Sequence, residues 1–420
     1  MPGGQAMAAS AAEVPFRGEA GTASLGRYLD ACATAPPAPE VLIAMAEAGE
    51  RAWANPSSLH GPGLAAADCL ERSRWRMAEL LDCRPEQLIF CSGGTEAIHA
   101  ALLGTAAGLE PGRLVITAVE HPATLAAADQ LRRRGWEIAP LAVDRRGRVR
   151  LELLEALLTP PTRLVSVIWG QSEVGTLQPI EAIGARCRAA GVLFHVDAVQ
   201  VVGHGPLAFS ALPVDLLSFT AHKLQGPRGI GALLVQPGVS LRPLIGGVQE
   251  GGRRGGTEAV VLAAGFARAL ELAEARRGAS GGRDCLAGRR DHLWQLLRTM
   301  PGLRLSGADP EEPGARLPHH LSLLVSSEAG TPLSGKGLVQ ALWREGFAVG
   351  SGSACSSGVG AQLPQGAPSP VLEAMGYAPA AAASGLRISL GPWVSGEELD
   401  RFPAALERSR RQQAERAGAG

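Results

Sequence analysis

Between Gln87 and Val235 short apolar runs alternate with helix-spaced segments, and no other feature constrains the fold as much. The runs are Gln87 to Cys91, Arg113 to Ala118, Glu137 to Val143, Leu164 to Trp169, Val192 to Val196, Leu216 to Phe219 and Gly231 to Val235. Each is too short for a core helix and apolar enough to be covered on both sides. Amphipathic stretches separate them, among them Ala123 to Arg134, Leu151 to Leu157 and Ile180 to Ala190. Strands buried on both faces and joined through helices pair in parallel, so the pattern predicts an α/β fold with a mostly parallel central sheet flanked by helices.

Helical spacing over Glu40 to Trp53 and Ala65 to Leu81 precedes this block, and a long Ala/Leu-rich helix, Val260 to Arg276, follows it. The rhythm then changes to a helix near Leu286 to Met300 and strands near Leu303, Leu321 to Val325 and Ile388. This predicts a large domain over 36–277 and a smaller α+β domain from 25–35 and 278–420, with a Gly/Ser/Pro-rich loop at 350–370. A structureless loop of that length is more often functional than a passive connector. Residues 1–24, rich in Gly, Ala and Ser, read as a disordered extension.

Composition excludes several classes. The 420 residues carry 40 basic and 40 acidic side chains, so nothing draws the chain to nucleic acid or an anionic membrane surface. No apolar stretch is long enough to span a bilayer, and the start lacks a signal-peptide pattern. Cys32, Cys69, Cys83, Cys91, Cys187, Cys285 and Cys355 are dispersed without metal-ligand spacing, which argues against a metal site and for a reducing, cytoplasmic setting.

The chain has two lysines, Lys223 and Lys336. Lys223 follows an apolar strand in Ser218-Phe219-Thr220-Ala221-His222-Lys223 and precedes a Gly226-Pro227 turn. An amine at a strand end can be fixed and partly desolvated, which suits a Schiff-base nucleophile, although a surface lysine before a turn would have the same local sequence. Five other stretches give it company. Ser92-Gly93-Gly94-Thr95-Glu96 offers backbone N–H groups and a hydroxyl at a helix start, as a phosphate requires or as a simple N-cap would. His121 follows a strand, where it can stack on a ring or merely fill a loop. Asp197 ends the strand Val192 to Val196, at the sheet edge where open α/β folds bind ligands. It needs a cation, either a protonated pyridine nitrogen or a structural partner. Gly246 to Thr257 is glycine-rich, but its Gln249, Glu250, Arg253 and Arg254 make it unlike a spacer. Cys355 lies among small residues in Gly350 to Gly358, where a thiol is reachable.

Together with Tyr28-Leu29-Asp30, Asn55-Pro56-Ser57-Ser58, Glu120-His121 and Arg387 to Gly391, these stretches occur in the order found in the cysteine desulfurases. The chain resembles that family, in the class-V branch of fold-type-I pyridoxal-phosphate (PLP) enzymes, from Tyr28 to about Trp393. The resemblance implies that Lys223 holds pyridoxal 5'-phosphate as a Schiff base. Asp197 would pair with the ring nitrogen, His121 would stack on the ring, and Gln200 and Ser172 would lie near its oxygen. Gly94, Thr95, Thr220 and His222 would bind the phosphate, joined by Thr257 from the second subunit of a homodimer. Arg387 would clamp the carboxylate of L-cysteine, and Cys355 would take its sulfur as a persulfide. Alanine would be released, and the sulfur would pass to an acceptor or scaffold protein for iron–sulfur cluster or other sulfur-cofactor assembly.

Selenocysteine lyase shares this scaffold and is separated by comparing turnover of L-cysteine and L-selenocysteine after Cys355→Ser; another class-V PLP enzyme, such as an aminotransferase, is a weaker alternative because it needs no loop cysteine. A scaffold that binds sulfur-transfer partners without chemistry is the non-enzymatic alternative, and it would stay colourless with the cofactor. Three departures from the family pattern bear on this choice. Gln171-Ser172 stands where Asn-Asn is usual, Ile98-His99 occupies a helix position where Asn is usual, and the loop after Cys355 is longer. Ser172 is too short to reach as Asn does, leaving a weaker or water-mediated bond to the ring oxygen. Cofactor affinity is therefore expected to fall below that of typical members; an absorbance titration with the cofactor checks this, and ordinary tight binding would contradict it.

Overall fold

The structure, a computed structural model, describes residues 25–281, 284–352 and 367–418. The expected disordered extension at 1–24 and the Cys355 segment lie outside the described residues.

Seven strands form one sheet: β1 (Leu88–Cys91), β2 (Arg113–Thr117), β3 (Glu137–Leu141), β4 (Thr162–Ile168), β5 (Leu193–Asp197), β6 (Leu216–Thr220) and β7 (Gly231–Val235). Their spatial order is β1-β7-β6-β5-β4-β2-β3. The run β3-β2-β4-β5-β6 is parallel, whereas β7 is antiparallel to both β6 and β1. Two reversals return β1 to the direction of β6. The carboxyl ends of β1, β2, β4, β5 and β6 therefore meet at one edge of the sheet.

Successive residues divide between the two faces because side chains alternate along a strand. Leu88 and Phe90 of β1, Val165 and Val167 of β4, Phe194 and Val196 of β5 and Leu217 and Phe219 of β6 enter one core. That core is covered by α1 (Pro39–Arg51), α2 (Gly61–Leu80) and α7 (Val260–Ala279), and also by α5 (Leu151–Leu157) and α6 (Ile180–Ala189). On the other face, Ile89, Cys91, Leu216 and Leu233 pack under α3 (Gly94–His99), and Leu114 and Ile116 pack under α4 (Pro122–Arg133). Double coverage explains why the strands read as unbroken apolar runs. His195 is the polar exception on the second face. It is buried between Ser166 Oγ at 2.8 Å and Ser218 Oγ at 3.1 Å, and burial pushes its pKa down to about 3. It is a neutral structural histidine.

Helix ends differ from the sequence reading where capping decides them. The second helix begins at Gly61 rather than Ala65, because the His60 ring accepts from Gly63 N and Pro62 fits the first turn. The helix after Thr95 leaves α geometry at Ala100–Gly104 for a π-type turn. The segment Gly246 to Thr257 is held as a structured loop. Glu250, with φ +50, buries its carboxylate against both terminal nitrogens of Arg74 at 2.8 Å and accepts from Phe90 N at 2.9 Å.

A second sheet contains β8 (Leu303–Leu305), β9 (His320–Val325) and β10 (Gly385–Ser389), all antiparallel. Its core includes Leu293, Leu297, Leu338, Leu342, Phe402 and Leu406 from α8 (Leu286–Leu297), α9 (Gly335–Arg344) and the last long helix, Gly396–Gly418. Leu29, far away in sequence, belongs to this core and ties the opening segment to β10 through Ser389 N→Leu29 O and Ala31 N→Ser389 O. No described helix is long and apolar enough to cross a membrane.

The Arg74–Glu250 pair is a buried ion pair with side-chain exposures of 10% and 1%. Removing Glu250 leaves the buried Arg74 only the half-exposed Glu71 as a counter-charge, so Glu250→Ala is expected to cost about 3 kcal/mol. Urea unfolding checks this as a fall in midpoint at unchanged slope.

Candidate active site

The carboxyl ends of the strands open into a cavity of about 180 Å³. Its walls carry Gly94, Thr95, His121, Ser172, Asp197, Gln200, Thr220, His222, Lys223 and Arg387, all singled out by sequence reading. Thr257 is exposed and does not line this cavity, and Cys355 lies outside the described residues. The cavity also takes in Cys32, Ala33, Ile98, Ile168, Gly170 and Val199.

Each polar group arrives from a predictable place. Asp197 is the last residue of β5 and lies opposite Ser218 of β6 and Ile168 of β4. Its carboxylate accepts from Val199 N at 3.0 Å. Burial pushes its pKa up to about 6, only partly offset by that bond and by Lys223. Three residues beyond β6, Lys223 sends its Nζ to the carbonyls of Cys32 at 2.5 Å and Ala33 at 2.7 Å. Gln200 Nε2 donates to the same Cys32 carbonyl at 3.0 Å.

His121 caps α4, its Nδ1 accepting from Ala123 N at 3.1 Å. That bond places the ring proton on Nε2. Burial and the nearby Lys223 lower its pKa to about 4, so the ring is neutral. Neutrality also holds for His222, lowered to about 4 by burial and Lys223, with Nδ1 3.1 Å from Thr34 Oγ1.

The Gly93-Gly94-Thr95 turn leads straight from β1 into α3, aiming backbone N–H groups at the cavity. A Cβ at Gly231 would stand 2.6 Å from the Gly93 carbonyl carbon, so a bare backbone there lets the turn close on β7. Glu96 would repel an anion at this helix start, but Arg254 engages it at 3.0 Å and Ser92 N donates to it at 2.6 Å, which lowers its pKa despite burial.

On the opposite wall Arg387 projects from β10, its Nη1 donating to Ser172 O at 3.1 Å and its Nη2 to Asp30 Oδ1 at 2.8 Å. Its buried Nε has no hydrogen-bond partner.

Two groups carry more than sequence reading allotted them. Asp30 stood only as part of Tyr28-Leu29-Asp30, and a charge inside an apolar opening motif was the available signal. Glu120 stood only beside His121. It is fully buried, accepts from Ile168 N at 2.9 Å and Thr117 Oγ1 at 2.7 Å, and is pushed up to about 8 by burial. The departure at Gln171 also has a visible role. Its side-chain oxygen accepts from Glu173 N and Val174 N, and its amide donates to Val119 O, so it shapes the loop carrying Ser172.

The residues present fit pyridoxal phosphate. A buried carboxylate with its pKa raised calls for a cation such as a protonated ring nitrogen. A neutral imidazole offers a face for stacking. Glycine-spaced N–H groups and hydroxyls suit a phosphate, an amine suits the aldehyde, and a guanidinium suits a carboxylate.

Known proteins resemble the chain over most of its length. The aminotransferase class-V family matches residues 27–402. A cysteine desulfurase of Cereibacter sphaeroides is 39% identical over 385 residues, covering 90% of this chain and 94% of the relative. The solved structure of a NifS-like protein superposes with a TM-score of 0.80 at 32% identity, covering 92% of this chain and 99% of the other. That of SspA in complex with cysteine gives 0.74 at 26% identity, covering 88% and 100%. The architecture is that of the fold-type-I PLP enzymes, and the chain belongs to the cysteine desulfurase family within the class-V aminotransferases.

Asp197 has a pH signature. Its pKa is about 6 in the folded chain against an ordinary 3.8, so the folded state binds the proton more tightly. Stability should fall as pH rises through that window, and the penalty should persist above it. Cofactor-free Asp197→Asn, which keeps an acceptor for Val199 N, is expected to exceed the wild type by about 1–3 kcal/mol at pH 8 and by nothing below pH ~4. Thermal unfolding at the two pH values checks this.

Proposed function

We propose that the chain is a PLP-dependent cysteine desulfurase. It would convert L-cysteine to L-alanine and pass the sulfur, as a persulfide on Cys355, to an acceptor protein serving iron–sulfur cluster or other sulfur-cofactor assembly. One observation carries the reading: Lys223, Asp197, His121 and Arg387, from four different elements, share one cavity. The solved cysteine complex of the relative SspA supports L-cysteine as substrate.

When bound, the cofactor supplies an electron sink that acidifies the Cα–H of an amino acid. The chain's own residues do the rest. Lys223 and Asp197 would hold the cofactor at its aldehyde and ring nitrogen, with the imidazole of His121 against its face. Gly94, Thr95, Thr220 and His222 would fix its phosphate. Ser172 would sit near the ring oxygen, where Gln200 Nε2 would also donate. Arg387 would orient the substrate through its carboxylate. Lys223 Nζ would move the Cα proton. The Cys355 thiolate would attack the substrate sulfur. An S–S bond forms as the C–S bond breaks, and the carbon skeleton leaves, protonated, as alanine.

A homodimer is part of the proposal. Trp53, Leu59, Leu64, Trp75 and Val248 are exposed large apolar side chains that a partner subunit would cover. Thr257 is also exposed, as a residue completing a partner's phosphate site would be. We further propose the division into 36–277 and 25–35 with 278–420, and a cytoplasmic location.

With L-cysteine and a reductant, the purified protein is expected to release sulfide and alanine in equal amounts. Cys355→Ser should remove at least ~99% of that release, by analogy with other nucleophile deletions. Lys223→Ala should remove the visible absorbance of the cofactor-loaded protein. Retained selenocysteine turnover in Cys355→Ser would favour the lyase reading, and a colourless, inactive protein would sink both.

A further inference from the structure

Arg387 heads the largest fully buried side chains of the described residues. A guanidinium without a counter-ion is not stable in such a place. Its partner is Asp30, whose Oδ1 accepts from Nη2 at 2.8 Å. A Cβ built on Gly350 would stand 2.8 Å from that Oδ1, 2.8 Å from Nη2 and 2.9 Å from Nε. These atoms therefore crowd one point beside the Nε–Nη2 edge of the planar fork, of which Asp30 engages Nη2 alone. That is an edge a ligand carboxylate uses for two parallel bonds.

We propose that Asp30 is an internal stand-in for the substrate carboxylate at Arg387, and that a bound carboxylate displaces it. The inference rests on the reading that Arg387 receives that carboxylate. Charge counting drives it. One guanidinium facing two carboxylates leaves a net negative charge around a side chain that is itself fully buried. The other cationic side chain on the wall, Lys223, is held by Cys32 O and Ala33 O. His121 and His222 are neutral, and Glu173, buried close by, contributes no positive charge. One carboxylate must leave, and Asp30 is the one with a route. Its side chain is 20% exposed against 2% for Arg387.

The main chain around Asp30 stays anchored while the side chain turns. Leu29 N donates to Ala348 O, Ala31 N to Ser389 O and Ala33 N to Asp30 O. Asp30 can therefore swing out and return. The cost falls on every ligand, as for any site whose competent state must first be populated. A ligand with only a carboxylate binds poorly, and an amino acid, with a second anchor at the cofactor, overcomes the competition. The stand-in thus acts as a specificity-determining residue.

Propionate, which has neither amine nor sulfur, tests this by calorimetric titration of the full-length, cofactor-loaded protein. Asp30→Asn is expected to bind it about tenfold more tightly than wild type, or better, and Asp30→Ser in the same direction. Arg387→Gln is expected to abolish binding. Propionate should also raise the melting temperature of Asp30→Asn more than that of wild type. Equal or weaker binding by the Asp30 variants, with Arg387→Gln still abolishing it, would overturn the stand-in alone. Equal binding to wild type and Arg387→Gln would instead remove Arg387 as the carboxylate site. An Asp30 variant that unfolds and is not rescued by propionate also counts against the proposal, since an added carboxylate should take the missing one's place.

Discussion

Three charges around one cavity organise this molecule: Asp197 at the end of β5, Lys223 just past β6, and Arg387 on the second sheet. None is tolerable alone in such a setting. Asp197 is under-compensated, and burial pushes its pKa up to about 6. Lys223 is satisfied by two carbonyls of the opening segment, and Arg387 by Asp30 of the same segment. Residues 30–33 therefore touch both cations. They are fastened to β10 by backbone hydrogen bonds, so the small sheet and the large one meet at the chemistry rather than beside it.

The parallel sheet makes this possible. Carboxyl ends of parallel strands gather at one edge, and loops leaving that edge carry side chains inward. The antiparallel β7 lets β1 join with the correct polarity, bringing the Gly93-Gly94 turn beside Thr220. Behind the turn, Arg254 neutralises Glu96 beside the helix start. The glycine-rich segment thus serves the site electrostatically, through a salt bridge, as well as by its backbone.

Much of this was legible in the sequence because its signals are local. Apolar runs mark strands whose two faces are both covered, and Asp197, Thr220 and Lys223 are found by counting from a strand's end. The resemblance to a family placed the remaining cofactor and substrate residues by motif order. What stayed hidden is non-local. Nothing adjacent to Asp30 indicates Arg387, 357 positions away. Nothing near Glu250 indicates Arg74, which comes 176 residues earlier. Helix starts were misplaced where a cap decides them, as His60 does for α2. Gln171 reads as a departure from a family pattern, and only the three-dimensional loop reveals it as a brace.

Glu120 gives the site a second carboxyl that neutral water cannot easily ionise. With their pKa values pushed up by burial to about 6 and about 8, Asp197 gives up its proton before Glu120. Between those two steps the pair carries a single negative charge, on Asp197. Alkaline solution would add a second anion beside the first, and the pyridine nitrogen would then face a field it was not built to match.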